Sequence, residues 1–82
     1  MNVQAKYNLT TKPFCVLADG PQETDGDGGY EFVVCFGDED GEPITDNKAA
    51  VWKLDSAEET DRFAAKLAQT YNLELVNETT PV

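Results

Sequence analysis

The chain contains no histidine, and its 82 residues include only two cysteines and six basic side chains. Without histidine there are no Ser-His or Cys-His nucleophilic pairs, and the commonest metal ligand is missing. No glycine-rich loop followed by Lys-Ser or Lys-Thr joins a strand to a helix, which excludes a phosphate cradle of the P-loop type. We therefore expect neither an enzyme nor a protein that carries a cofactor.

Long apolar runs are also missing. The longest is much shorter than the stretch of about 20 residues that spans a bilayer, and the first residues, MNVQAKYNL, lack the charged and apolar segments of a secretory signal. Hydrophobic residues make up 40% of the chain and aromatic residues 10%, which is enough for one small core. We expect one soluble, cytoplasmic domain over residues 1–82, with a frayed tail at about 77–82 and no membrane contact.

The two cysteines, Cys15 and Cys35, each lie in a short apolar run, and their spacing matches no metal or redox motif. In a reducing compartment such residues act as small buried hydrophobes with free thiols. A disulfide is the alternative, because a hairpin about Asp25 would place the two runs on adjacent strands.

Apolar patterning predicts a sheet. Residues 3–9 alternate apolar and polar side chains with a period of two, which predicts a first strand. The run 30–36 is apolar on both faces, which indicates a central strand that is covered on both sides. Further runs rich in strand-forming residues predict strands at 14–18, 49–54 and 73–76, and a short edge segment is expected at Pro43-Ile44.

The clearest local signature is Ser56-Ala57-Glu58-Glu59, a capping box in which Ser56 is the N-cap and Glu59 lies three residues on. Apolar residues then recur at helical spacing and form one stripe, which consists of Phe63, Ala64, Leu67, Ala68 and Tyr71. Asn72 is suited to end the helix in a left-handed conformation. The order β-β-β-β-α-β predicts an α+β fold: a small antiparallel or mixed sheet of four to five strands, with one amphipathic helix packed on one face.

Two acidic, glycine-rich loops flank the central strand in the stretch DGDGGYEFVVCFGDEDGEP. Gly20-Pro21 is expected to break strand pairing and to open the first of these loops. Residues 23–27 place acids at alternate positions, as the first half of an EF-hand Ca²⁺ loop does, but Val34 occupies the position of the bidentate Glu. We therefore expect no metal site, and a Ca²⁺-responsive module is the weakest alternative.

Acidic residues are concentrated in the middle of the chain. The net charge is −10, from 16 acids and 6 bases, and the acids crowd between residues 19 and 61. Such a field repels nucleic acid and anionic lipid, so we expect no direct binding to DNA, RNA or membrane. The acids around the start of the predicted helix complement its dipole, whereas those of the two loops have no such local role.

We interpret the loop acids as a surface that presents carboxylates where a basic partner expects phosphates. Dense charge of one sign destabilises a small fold through self-repulsion, which favours a functional reason for it. The hypothesis is a small non-enzymatic binding or inhibitor protein that docks its negative face on the basic surface of a nuclease, restriction enzyme or CRISPR effector complex. The predicted contact residues are Asp25, Asp27, Glu31, Asp38, Glu39, Asp40 and Glu42, with Tyr30 as an aromatic anchor and Trp52 as an anchor or, better, a core residue.

A short, acidic, histidine-free chain with one sheet and one helix is similar in overall character to phage-encoded anti-defence inhibitors such as anti-CRISPR proteins, although no motif assigns it to a family. The main alternative is a housekeeping interaction or assembly domain. Such a domain would bind through a sheet edge or the apolar helix face, and its acids would serve only solubility. Salt dependence separates the two hypotheses, because an acidic contact weakens as ionic strength rises and an apolar contact does not.

Overall fold

The fold is a five-stranded sheet with one long helix packed against one of its faces. The computed structural model describes residues 2–23 and 29–80. Asp25 and Asp27, two of the predicted contact residues, lie outside this part of the chain. In chain order the elements are helix α1 (Val3–Lys6), strands β1 (Cys15–Glu23), β2 (Tyr30–Gly37) and β3 (Pro43–Ile44), a 3₁₀ turn (Lys48–Ala50), strand β4 (Val51–Leu54), helix α2 (Ala57–Tyr71) and strand β5 (Glu74–Thr79).

Strand β2 lies in the middle of the sheet. It pairs antiparallel with β1 on one side and with both β3 and β4 on the other. Strand β5 pairs parallel with β1 and forms the far edge, so the sheet is mixed. The predicted α+β fold is therefore confirmed, with four strands before the main helix and one after it.

Helix α2 has the predicted ends and the predicted inner stripe. The side-chain oxygen of Ser56 accepts a hydrogen bond from the N–H of Glu59 at 3.1 Å, and Asn72 ends the helix at φ 56° and ψ 47°. The residues of the stripe that are fully buried are Ala64, Leu67 and Ala68. The stripe therefore belongs to the core. Among the described residues, no helix is long and apolar enough to cross a membrane.

The predicted first strand at residues 3–9 is wrong, because the chain forms α1 and a turn there. The side chain of Asn2 caps α1 by accepting the N–H two residues on, at 2.8 Å, and Asn8 adopts a left-handed φ of 53°. The alternating pattern also places Val3 and Tyr7 four residues apart, and both pack against the core. In so short a segment this packing outweighs strand propensity.

Strand β1 runs through Gly20-Pro21, where the sequence predicts a break. The peptide bond between them is cis, and the register with β2 shifts between Asp19 and Gln22. Gly20 has a φ of 141°, and a side chain there would meet Phe32 at 2.6 Å, so the position requires glycine. The dipeptide therefore shifts the register of β1 without ending the strand.

Two strand ends also differ from the prediction. Residues 77–79, assigned above to a frayed tail, belong to β5. The carboxylate of Asp61 on α2 accepts hydrogen bonds from the side chains of Asn77 and Thr79, each at 2.8 Å, and so ties this end of β5 to the helix. Strand β4 begins at Val51 rather than at residue 49, because the 3₁₀ turn comes first.

The core lies between α2 and the sheet. Val16 of β1 and Val34 and Phe36 of β2 are completely buried there. Around Phe36 the ring centroids of neighbouring aromatic residues lie 5.2 to 6.2 Å apart, in a cluster of Tyr7, Phe36, Trp52, Phe63 and Tyr71. Such tilted and edge-to-face contacts add to the burial of apolar area. Trp52 is therefore a core residue, as the sequence favours.

Candidate docking surface

The predicted contact acids do not form one cluster. Glu31 is the second residue of β2, and Asp38 directly follows the last residue of that strand. Six residues of strand lie between them, and the seven residue steps correspond to about 23 Å along the strand. Glu31 also lies 3.7 Å from the ammonium group of Lys53, whose side chain is 66% exposed. The acids after β2 are therefore a separate group from Glu31.

The turn between β2 and β3, residues 38–42, is fixed by one of its own acids. A carboxylate oxygen of Asp38 accepts the backbone N–H groups of Asp40 and Glu42, both at 2.9 Å. The backbone closes the turn as well, since the N–H of Asp38 donates to the carbonyl of Glu42 at 2.9 Å. Asp38 is therefore a structural residue. The exposed side chains of Glu39, Asp40 and Glu42 are held on a tight turn and form no ion pair within the described part of the chain.

The sheet face turned away from α2 is apolar at its centre. Alternation along the strands places Cys35 of β2 beside Val51 of β4 and Leu17 of β1, and places Leu17 beside Val76 of β5. One row of apolar side chains therefore crosses the whole sheet, and Val33 lies in the adjoining row. We call this surface, defined by these five residues, the open face.

The open face departs from the usual pattern of a sheet that is packed on one side only. Such a sheet alternates apolar residues towards the core with polar residues towards water. Here Leu17, Val33, Val51 and Val76 are half-buried, and among residues 2–23 and 29–80 no helix covers them. The prediction that β2 is a central strand covered on both sides is therefore borne out only in part: α2 covers one face, and on the other face Cys35 is buried but Val33 is half-exposed.

A groove of about 350 Å³ lies on part of the open face. Leu17, Val33 and Val76 form part of its floor, and Gly41 brings the turn 38–42 to its margin. The turn that carries the predicted acids thus reaches the groove through Gly41, although the acids themselves do not line it and Glu31 stands apart from them. Their place beside an apolar surface follows from the pairing of β2 with β3, which the sequence indicates only weakly.

Three further acids lie on the same side of the sheet as the open face. Asp19 of β1 and Glu78 of β5 are direct neighbours in the parallel register and both line the groove, while Glu74 lies beside Cys15. Like charges directly opposite each other destabilise a sheet by roughly 0.2–1 kcal/mol. The sequence did not predict that these acids share one surface, because local patterns do not show the pairing of β5 with β1.

The two cysteines lie on the same side of the sheet as the open face. Both cysteines are free and buried. Burial raises the pKa of the Cys15 thiol, as do the nearby charges of Glu74 and Asp38, against a hydrogen bond from the backbone of Gly37. Burial also raises the pKa of Cys35. Both thiols are therefore protonated at neutral pH, which makes them poor nucleophiles.

The disulfide considered above is not formed. Cys15 lies opposite Gly37, and Cys35 lies opposite Leu17, so the two cysteines occupy diagonal positions rather than facing ones. Diagonal neighbours are about 7–8 Å apart, which is beyond the usual span of a disulfide. The expectation of two buried free thiols is confirmed.

Tyr30 is 54% exposed at the start of β2 and remains available as an aromatic contact. Phe14, which the sequence assigns to a strand, precedes β1 and is 45% exposed, with the ammonium group of Lys12 at 5.4 Å from its ring centroid. The pattern of local hydrophobicity does not distinguish these exposed rings from the buried ones.

No group of three or more acidic, cysteine or histidine side chains within residues 2–23 and 29–80 is placed to hold a metal ion. The alternating acids of residues 23–27 fall mainly outside the described residues. In the second acidic loop, one oxygen of Asp38 is already engaged by two backbone N–H groups.

Comparison with known proteins gives no relative. No protein family, curated protein or solved structure matches the chain.

Proposed function

We propose that this chain is a small non-enzymatic binding protein that docks its negative surface on a basic, nucleic-acid-binding surface of a protein partner. The main support is a set of carboxylates without ionic partners. Of the 14 acids in the described residues, only Glu31 and Glu58 lie within 4.0 Å of a basic group. The other twelve form no ion pair within the described residues, although Asp38 and Asp61 accept hydrogen bonds from neighbouring groups.

The turn 38–42 suits such docking because its exposed carboxylates are held in place. The bonds to Asp38 fix the backbone before any partner arrives, so little conformational freedom is lost on binding. A nuclease, a restriction enzyme or a CRISPR effector complex has a surface of the required charge. Occupation of that surface would block the nucleic acid sterically and electrostatically.

Some acids have a local role and do not support the proposal. Glu58 pairs with Arg62 at 3.4 Å, and Glu59 lies with it in the first turn of α2. Negative charge there complements the positive end of the helix dipole. The proposal therefore rests on the turn 38–42 and the acids of the sheet.

The experiment is affinity capture from a nuclease-treated host lysate at about 50 mM and about 300 mM salt, which differ in Debye length. We compare the wild type with two variants that each raise the net charge from −10 to −8. Glu39→Gln with Asp40→Asn changes the turn, and Ala65→Lys with Gln69→Lys changes the exposed side of α2.

We expect a nucleic-acid-binding protein that is retained only at low salt, is released by added duplex DNA and is lost by the turn variant alone. Retention at both salt concentrations that resists DNA would contradict the proposal. That result would favour the alternative, an assembly domain. Because the stripe of α2 is buried, such a domain would dock through a sheet edge or the open face.

A further inference from the structure

The open face has the make-up of an interface centre. A row of apolar side chains from four strands lies on the side opposite α2. Leu17, Val51 and Val76 in this row are half-exposed, and Cys35 between them is buried. Exposed apolar patches surrounded by polar residues mark interaction sites. Protein interfaces likewise combine an apolar centre with a polar rim.

The margin of the open face carries one sign of charge. Asp19 and Glu78 line one part of the groove, and Gly41 brings the acidic turn 38–42 to another. Lys53 also lies on this face, and its ammonium group is paired with Glu31. A second copy of this chain would bring the same acids against these, and like-charge juxtaposition opposes such an interface. The occupant that complements the margin is cationic.

The shape of the open face favours a helix as the occupant. Four strands side by side span about 14 Å between the axes of the outer strands, and an α-helix with its side chains is about 10–12 Å across. The backbone groups of β1 and β2 are paired with neighbours on both sides, so an added strand has no place on this face. A helix that lies on the face needs only side-chain contacts.

We infer that the open face binds a cationic amphipathic α-helix of the partner protein. The apolar stripe of that helix covers Leu17, Val33 and Val76, and its flanking Lys or Arg residues contact Asp19, Glu78 and the turn 38–42. The inference rests on the proposed function and deepens it. The major groove of duplex DNA, about 12 Å wide, likewise admits a helix between rows of negative charge. A helix of a nucleic-acid-binding surface therefore fits both the major groove and the open face.

The test uses a synthetic peptide of about five helical turns, made of leucine, alanine and lysine, whose leucines form one stripe flanked by lysines. A second peptide has the same composition but scatters the leucines around the helix. Both are titrated into the ¹⁵N-labelled full chain while backbone amide shifts are recorded. The protein variants are Asp19→Asn with Glu78→Gln, and the equal-charge control Ala65→Lys with Gln69→Lys.

We expect the striped peptide to shift the amides of Leu17, Val33, Cys35 and Val76. The scattered peptide should bind at least about tenfold more weakly, because its leucines cannot all contact the open face at once. The Asp19→Asn, Glu78→Gln variant should lose about tenfold in affinity while the control stays close to the wild type. The isosteric substitution Val76→Thr, which suits an edge strand, should weaken the striped peptide alone.

Three results would overturn the inference. Shifts confined to the turn 38–42, with both peptides bound equally, would show charge attraction without docking on the open face. Equal weakening of both equal-charge variants would assign the effect to net charge. A dimer whose amide shifts map to the open face would make a second copy the occupant. The first result would leave the proposed function standing if capture from the lysate still depended on the turn.

Discussion

On the helix side of the sheet, Val34 and Phe36 are completely buried beneath α2, whereas on the opposite side Leu17 and Val33 stay half-exposed. The carboxylates differ in the same way. Asp61 on the helix side accepts hydrogen bonds from two side chains of β5. Asp19 on the open face also accepts hydrogen bonds, from Gly20 and Gln22, but it lies directly beside Glu78, which has the same charge. One side is packed for stability, and the other leaves apolar area and negative charge accessible, as the proposed docking requires.

The largest expected effect is a loss of stability, which should differ between an apolar residue on the helix side and one on the open face. Phe36→Ala removes a fully buried ring from the aromatic cluster and should lower the free energy of unfolding by about 3–5 kcal/mol. Its counterpart on the open face, Val33→Ala, should lower it by only about 1 kcal/mol. Urea denaturation followed by tryptophan fluorescence measures both. Similar losses at the two positions would mean that the open face is packed as tightly as the core.

A smaller effect of opposite sign is expected from charge on the open face. Glu78→Gln removes the repulsion with Asp19 and should raise the free energy of unfolding by roughly 0.2–1 kcal/mol at low salt. The gain should shrink at high ionic strength, because salt screens exposed charges. Thermal unfolding at two salt concentrations gives the comparison. A loss of stability at both would show that Glu78 contributes to the fold.

The smallest effect is expected at Asp61 and depends on pH. Hydrogen bonds from Thr79 and Asn77 hold the pKa of this carboxyl below the ordinary value of 3.8. A depressed folded pKa contributes stability that is complete above the unfolded pKa and is lost as pH falls through the folded one. The stability difference between the wild type and Asp61→Asn should therefore be constant near neutral pH and decrease below about pH 4.

Unfolding curves of both proteins at pH 6 and pH 3 test this expectation, and the matched control is Glu59→Gln on the same helix. A difference that does not change with pH would contradict the assigned role of the hydrogen bonds at Asp61.

Local chemistry explains why the helix side was predictable. The Ser56 cap, the apolar stripe of α2 and the left-handed Asn72 are all encoded within a few residues, and each is confirmed. The strand at 30–36 is also locally encoded, because its apolar run is long and bounded by glycines. The segment 3–9 was mispredicted because seven residues fit two periodicities, and long-range packing of Tyr7 decided between them.

The open face was not predictable in the same way. It depends on which strands are neighbours, and the parallel pairing of β5 with β1 brings Glu78 to Asp19 across most of the chain. The sequence did mark the acids 38–42, but local charge density cannot show that their turn reaches an apolar groove through Gly41. It also cannot show that the carboxylate of Asp38 accepts hydrogen bonds from the backbone of the turn.

The most direct test of the open face as the contact surface is capture of the partner by two variants of equal net charge. One carries Asp19→Asn and Glu78→Gln on the open face, and the other carries Ala65→Lys and Gln69→Lys on the exposed side of α2. We predict that the first loses the partner at low salt and that the second retains it. Equal retention by both variants, or equal loss, would contradict the account.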